Sequence, residues 1–142
     1  MNFVYNDGGR KKAGFKGKAQ DCVCRAIAIA TEKPYQEVYD EINHLALKER
    51  RQRRSGARTG VYKPTIRRYM ESLGWSFRAT MTIGGGCTVH LRSDERPPGR
   101  LVVSVSKHLV AVIDGVILDT HNPSRAGTRC VYGYIYRERN PA

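Results

Sequence analysis

The sequence contains no run of hydrophobic residues long enough to cross a membrane. A transmembrane helix needs about 20 predominantly apolar residues in succession, and no such run occurs in the 142 residues. The first residues, MNFVYNDGGRKKAG, also lack the apolar segment of a secretory signal. The sequence therefore predicts a cytoplasmic protein with no membrane partner.

Acidic residues and prolines are both scarce. The chain has 13 Asp and Glu against 25 Lys and Arg, which gives a formal net charge of +12. Such an excess either keeps the surface solvated or attracts nucleic acid and acidic protein surfaces. Only 6 prolines accompany 14 glycines, and apolar residues make up 40% of the chain. This composition and length are typical of one globular domain.

Cysteine is present only four times, at Cys22, Cys24, Cys87 and Cys130. A reducing cytoplasm favours free thiols over disulfides, so we expect all four to be free. The Cys22-x-Cys24 spacing matches none of the usual paired zinc motifs. The sequence therefore predicts neither a bound metal nor a cofactor.

The pattern of apolar residues changes along the chain and divides it into three parts. Residues 1–20 form a basic, glycine-rich arm with no regular period. Residues 21–74 follow the period of helices, and residues 75–142 alternate as strands do. Helices followed by strands indicate an α+β fold with an antiparallel sheet, spanning residues 1–142 as a single domain.

Individual elements follow from local signals. Asp21 is a preferred N-cap residue, and the apolar stretch after it predicts a helix buried on most sides. Prolines at 34 and 64 open two further helices. A short helix is expected at 88–94. Strands are predicted at 75–80, 100–105, 108–113, 116–120 and 131–136.

Cys22 falls in the first turn of the buried helix. The positive end of the helix dipole and the free N–H groups there favour the thiolate, which is the nucleophilic form. Cys22 is thus either a nucleophile or, like many cysteines, a small core residue. Cys24 points to a different face, and we interpret it as the core cysteine of the two.

A predicted hairpin brings a histidine and an aspartate together. Asp114-Gly115 is typical of a two-residue turn, which pairs Ile113 with Val116 and places His108 and Asp119 diagonally on one face. Carboxylates in this position orient an imidazole and stabilise its cation. The other interpretation is an edge hairpin with ordinary polar residues.

The chain order Cys22, His108, Asp119 resembles that of the papain-like cysteine peptidases, and most closely the compact bacteriocin-processing peptidases of bacterial exporters. Asp21-Cys22 is similar to the cysteine motif of that family, 108–112 (HLVAV) to its histidine strand, and Leu118-Asp119 to its third motif. The whole chain also resembles short proteins of tailed bacteriophages and prophages, through segments such as 130–134 (CVYGY).

The resemblance implies a papain-like fold, with a buried N-terminal helix packed against the sheet, and a Cys-His-Asp triad acting on a protein or peptide. The family places an oxyanion-hole glutamine several residues before the cysteine. Here Lys16 stands six residues before it, so Gln20 is the candidate, with Asn6 as a substitute. Val23 replaces the glycine that follows the cysteine in the family.

The sequence thus predicts a cysteine-dependent hydrolase encoded by a phage. The same triad can hydrolyse a peptide or isopeptide bond, deamidate a side chain or transfer an acyl group, and the sequence does not distinguish these reactions. The alternative is a non-catalytic binding module on the same fold. That module would use its most basic segment to contact nucleic acid or an acidic protein; the segment's candidate phosphate contacts are Arg50, Arg51, Arg53 and Arg54.

Overall fold

The computed structural model describes residues 1–16, 21–48, 57, 63–81 and 84–137. The described residues form an α+β fold with three helices and one six-stranded sheet. The helices are α1 (Cys22–Thr31), α2 (Tyr35–Lys48) and α3 (Lys63–Ser72). The strands are β1 (Asn2–Tyr5), β2 (Trp75–Ala79), β3 (Arg100–Val105), β4 (His108–Ile113), β5 (Val116–Asp119) and β6 (Val131–Arg137).

The helix that begins at Cys22 is buried on most sides, as its composition predicts. Seven of the ten residues of α1 are buried, including Ile27 and Ala28. The alanines let α1 lie close against the sheet, where it packs mainly on β4. Helix α2 packs against α1, and α3 packs against α2 and β2. Gly74 has a φ of 86° just after α3, which fits a left-handed helix stop.

The sheet is mixed rather than purely antiparallel. Its strand order is β1-β5-β4-β3-β6-β2, and every neighbouring pair is antiparallel except β1 with β5. Strand β1 comes from the segment expected to be an irregular arm. The sequence prediction missed it because only Phe3, Val4 and Tyr5 carry an apolar signal there, and their β pairing partner lies more than a hundred residues away.

Apolar side chains form a core on each face of the sheet. On the helical face, α1, α2 and α3 pack against residues such as Val102 and Ala111. On the other face Val103, Val110 and Val112 pack with further apolar residues, Leu91 among them. The alternation of neighbours such as Val102 and Val103 between the two cores is the period of two expected for strands.

The segment before β3 differs from the sequence prediction. Residues 88–94 were expected to be a helix, but only Ser93–Glu95 forms a short 3-10 turn. His90 instead makes a β-bridge with Cys130, and Cys87 forms a disulfide with Cys130. Their Cα atoms are 5.9 Å apart, within the usual range for a disulfide. The expectation of four free thiols is therefore wrong for this pair, and extended pairing replaces the helix.

Candidate active site

Cys22 is the first residue of α1, where the helix leaves its first N–H groups without intrahelical partners. Its side chain is partly exposed and lines a cleft. The same position in the helix places the sulfur near the positive end of the helix dipole, which favours a thiolate. The structure therefore places Cys22 at the N-terminus of a buried helix, where it lines an open cleft.

His108 is the first residue of β4 and lies beside the cleft that contains Cys22. It pairs with Val105 across a tight turn in which Lys107 has a φ of 56°. Its side chain is only 11% exposed. Because α1 packs on β4, the start of the strand is brought beside the start of the helix.

Asp119 ends β5 and binds His108 directly. Its Oδ2 lies 2.5 Å from His108 Nε2, and the Thr120 backbone N–H donates to its Oδ1 at 2.7 Å. The turn at Asp114-Gly115 has φ values of 49° and 82°, as a type I′ hairpin requires. Ile113 pairs with Val116. The predicted turn and register are confirmed, and they produce the predicted carboxylate–imidazole contact.

The three side chains are electrostatically coupled. Burial raises the pKa of Cys22, but hydrogen bonds to the His108 side chain and the Leu109 backbone outweigh burial, so the pKa lies below its ordinary value of 9.0. Burial lowers the pKa of His108, yet its hydrogen bonds to Asp119 and Cys22 raise it to about 9. For Asp119 the bond to His108 overcomes burial and lowers the pKa. These shifts favour the thiolate of Cys22 and the imidazolium of His108 over their neutral forms.

Cys24 lies in a different environment from Cys22, although only one residue separates them. It is fully buried, and its thiol lies 3.8 Å from the Tyr35 carbonyl oxygen. Burial, assisted by the negative charge of Asp21, raises the pKa of Cys24 to about 12. A protonated, inaccessible thiol is not a nucleophile, so the interpretation of Cys24 as the core cysteine agrees with its position.

A buried ion-pair cluster supports the site and was missed by the sequence reasoning. Asp21 does not cap α1 with its side chain. Its carboxylate instead binds Arg25, accepts a hydrogen bond from the Tyr35 hydroxyl at 2.6 Å and lies 3.0 Å from Arg10 Nε. Two guanidinium groups and a phenol offer this carboxylate stronger partners than backbone N–H groups do.

Arg25 connects that cluster to the candidate triad. One of its terminal nitrogens binds Asp21, and the other lies 3.7 Å from Asp119 Oδ1. The side chain is 14% exposed. Its positive charge is also one of the influences that lower the pKa of Cys22. The i, i+4 spacing of Asp21 and Arg25 was a signal available in the sequence, but the approach of Arg25 to Asp119 depends on the tertiary fold.

Only some of the candidate donors for an oxyanion hole lie within the described residues. Gln20 lies outside the described residues, as do Arg50, Arg51, Arg53 and Arg54. Asn6 does not line the cleft that contains Cys22. Its backbone N–H donates to the Asp119 carbonyl oxygen, and its side chain accepts a hydrogen bond from the Gly8 N–H. The backbone N–H of Cys22 remains the described candidate donor for an oxyanion.

His121 lies beside the triad, with its ring centroid 5.0 Å from that of His108. Within the described parts of the chain, one group of three side chains could hold a metal ion: His108, Asp119 and His121. Their ligand atoms lie within 4.8 Å of one another. However, His108 and Asp119 already share a hydrogen bond through two of these atoms. A metal ion would have to displace that bond.

The cleft around Cys22 is large enough for a substrate segment. It encloses about 600 Å³, and its lining includes Lys63 and Ile66 of α3 as well as His108 and His121. Pockets of a few hundred cubic ångströms are typical of ligand sites. The candidate nucleophile therefore faces a volume in which a peptide bond could lie.

Comparison with known proteins gives no match: no protein-family model, no curated protein and no solved structure matches the chain. Across the described residues, no helix combines the length and apolar character needed to cross a bilayer.

Proposed function

We propose that this protein is a cysteine-dependent hydrolase of papain-like fold, phage-encoded and cytoplasmic, that cleaves peptide or isopeptide bonds. The series Cys22–His108–Asp119 carries the proposal, because Cys22 and His108 line one cleft and Asp119 is hydrogen-bonded to His108. It combines a helix-start thiol of lowered pKa with an imidazole of raised pKa held by a buried carboxylate. A nucleophile, a base and a group that orients the base, all gathered at one cleft, are typical of covalent catalysis.

In the first half of the reaction, the Cys22 thiolate attacks the carbonyl carbon of the substrate. The developing oxyanion accepts a hydrogen bond from the Cys22 backbone N–H, at the positive end of α1. The C–N bond then breaks, and His108 transfers its proton to the leaving amine. The acyl group remains on the Cys22 sulfur as a thioester.

In the second half, His108 has lost its proton and acts as a base toward water. His108 takes a proton from the water as the hydroxide equivalent attacks the thioester carbon, and the C–S bond then breaks. The carboxylic acid product leaves, Cys22 is again a thiolate, and the proton from water remains on His108 as its imidazolium, which restores the starting pair. Asp119 keeps the ring oriented in both halves because its Oδ2 holds Nε2, which leaves Nδ1 for the exchange with Cys22 and substrate. An amine in place of water would give acyl transfer, and a side-chain amide substrate would give deamidation.

Selective labelling of Cys22 tests the proposal. The protein is treated with iodoacetamide at pH 7, and the modified cysteine is identified by mass spectrometry. We expect Cys22 to react at least about tenfold faster than a free cysteine with its ordinary pKa, because it is held as a thiolate. Cys24, with its pKa raised to about 12, remains unmodified.

Two variants serve as controls. His108→Gln removes the imidazolium that stabilises the thiolate, so it should slow labelling of Cys22 at pH 7. Lys107→Gln changes a neighbouring charge in the same turn and should leave the labelling rate nearly unchanged. If Cys22 reacts no faster than a free cysteine, or if His108→Gln has no effect in a folded protein, the hydrolase proposal fails and the non-catalytic binding module takes its place.

A further inference from the structure

A second, mainly apolar cavity opens beside the cleft of the candidate active site. It encloses about 410 Å³ on the helical face of the sheet, between α3 and strands β2, β3 and β6. Its apolar wall includes Ile66, Phe77, Ala79, Met81 and Ile135. Met81 is 39% exposed, so the apolar surface is open to solvent.

This cavity is continuous with the cleft that contains Cys22. Five residues line both spaces: Lys63, Ile66, Ser104, Leu109 and Tyr132. Leu109 follows His108 in β4, and its backbone lies near enough to Cys22 to lower the pKa of that thiol. A group bound in the cavity would therefore remain close to the nucleophile.

The sheet itself creates the hollow. Ala79 pairs with Gly133, and Gly133 pairs with Ser104, so three small residues lie in a row across β2, β6 and β3. A Cβ at Gly133 would lie 2.6 Å from the Phe77 ring, so only glycine allows that ring to lie against β6. The shape of the cavity therefore depends on packing that a larger residue at position 133 would disrupt.

Positive charge lies at the side of the cavity formed by α3. Lys63 and Arg67 both line it, and Arg67 lies over the Phe77 ring with its guanidinium carbon 4.1 Å from the ring centroid. No carboxylate is among the described lining residues. The lining thus combines an apolar surface with two cations, which is complementary to a bulky apolar group next to an anion.

The direction of the substrate follows from the chemistry of the leaving group. The leaving amine must lie against His108, which protonates it. His108 lines the cleft but not the cavity, whereas Ile66 and Tyr132 line both, so the cavity is open to the acyl part, which is not held against His108.

We propose that this cavity is the subsite for a bulky apolar side chain on the acyl side of the scissile bond, in a peptide that also carries a carboxylate near Lys63 and Arg67. The inference rests on the proposed function and adds the substrate class. It predicts cleavage after a leucine- or phenylalanine-containing acidic segment and slow cleavage after small residues.

The test uses peptide fluoromethyl ketones, which a thiolate captures from the acyl side. Gly, Leu or Phe is placed at each of the two residues nearest the reactive group, with Glu or Gln before them. We expect Leu or Phe to label Cys22 at least about tenfold faster than Gly at one of the two positions, the range for apolar side-chain selectivity. Probes with Glu should label Cys22 about two- to fivefold faster than the same probes with Gln. This difference should disappear at high salt and in the double variant Lys63→Gln/Arg67→Gln.

Ala79→Phe is the decisive variant because it fills the cavity from an exposed position in β2. It should remove the preference for Leu over Gly and leave iodoacetamide labelling of Cys22 unchanged. The matched control, Arg78→Phe, introduces the same residue on the opposite face of β2 and should retain the preference. Rapid iodoacetamide labelling with equal rates for Gly and Leu probes, or a preference that Ala79→Phe retains, would overturn this inference alone. Absence of iodoacetamide reactivity at Cys22 would overturn the proposed hydrolase and the subsite together.

Discussion

Replacing Asp119 by Asn tests the electrostatic core of the proposed mechanism. The substitution preserves the size of the side chain and an oxygen that can accept the His108 N–H, but it removes the buried negative charge. The Asp119 side chain is only 4% exposed, so solvent does little to screen that charge. The variant therefore separates orientation of the imidazole from stabilisation of its cation.

The expected magnitude follows from the pKa of His108. Its rise from 6.5 to about 9 corresponds to about 3.4 kcal/mol of preferential stabilisation of the imidazolium. The hydrogen bond to Asp119 is the largest of the influences that raise it, ahead of the bond to Cys22. We expect Asp119→Asn to lower the pKa of His108 by at least about one unit, or about 1.4 kcal/mol.

The pH dependence follows directly. The active thiolate–imidazolium form exists above the pKa of Cys22 and below the pKa of His108, so wild-type activity should decline on the alkaline side near pH 9. In Asp119→Asn the alkaline limit falls with the pKa of His108. The acidic limit rises, because a less stable imidazolium stabilises the thiolate less. The active range narrows from both sides.

The assay is the rate of hydrolysis of a fluorogenic peptide between about pH 4 and pH 10, together with the rate of iodoacetamide labelling of Cys22. His121→Ala is the matched control: that exposed ring lies 5.0 Å from the His108 ring, and its loss should change the rates by less than about threefold. An Asp119→Asn protein with native circular dichroism and an unchanged pH profile would refute the reasoning.

Three further predictions concern the two free cysteines, Arg25 and the most basic segment. Cys22→Ala should abolish iodoacetamide labelling and hydrolysis, whereas Cys24→Ala should retain both. Cys24→Ala should also lower the free energy of unfolding by about 1 kcal/mol, because it leaves a small buried cavity. Equal loss of activity in the two variants, with both folded, would contradict the assignment of Cys22 as the nucleophile. Arg25→Gln should destabilise the protein by about 1–3 kcal/mol, because it leaves Asp21 with fewer buried partners, and urea unfolding measures this loss. It should also move the acidic limit of Cys22 labelling to higher pH, because it removes a positive charge near Cys22. An unchanged acidic limit in the pH profile of labelling would argue against a role for Arg25 at the site. If the most basic segment contacts phosphates, the logarithm of nucleic-acid affinity should fall with the logarithm of salt concentration with a slope of several units; fluorescence anisotropy measures it, and a slope near zero would exclude contacts by Arg50, Arg51, Arg53 and Arg54.

Most secondary structure was predictable because its signals are local. Asp114-Gly115 specifies a turn with positive φ at both positions, and the turn fixes the register of β4 and β5. The separation of His108 from Asp119 follows from that register, so the carboxylate–imidazole contact could be derived from the sequence alone. The burial of α1 likewise follows from apolar residues around its whole circumference.

Contacts between distant segments were not predictable in the same way. Strand β1 pairs in parallel with β5, and Cys87 joins Cys130, because packing brings these segments together and not because either has a strong local signal. Arg25 is an ordinary polar residue in the helical pattern. Only the packing of α1 against β4 and β5 brings it within 3.7 Å of Asp119.

The sequence by itself determined which residues are the candidates for the proposed chemistry: a cysteine at a helix start, and a histidine and an aspartate on one hairpin face. The tertiary structure decided that these two local arrangements meet, and it added the Asp21–Arg25 cluster and the cavity beside Leu109. The physical reason is that helix starts and hairpin registers depend on neighbours in the chain. The distance between the helix and the hairpin, and the space left between them and α3, depends on how apolar faces from the whole chain pack together.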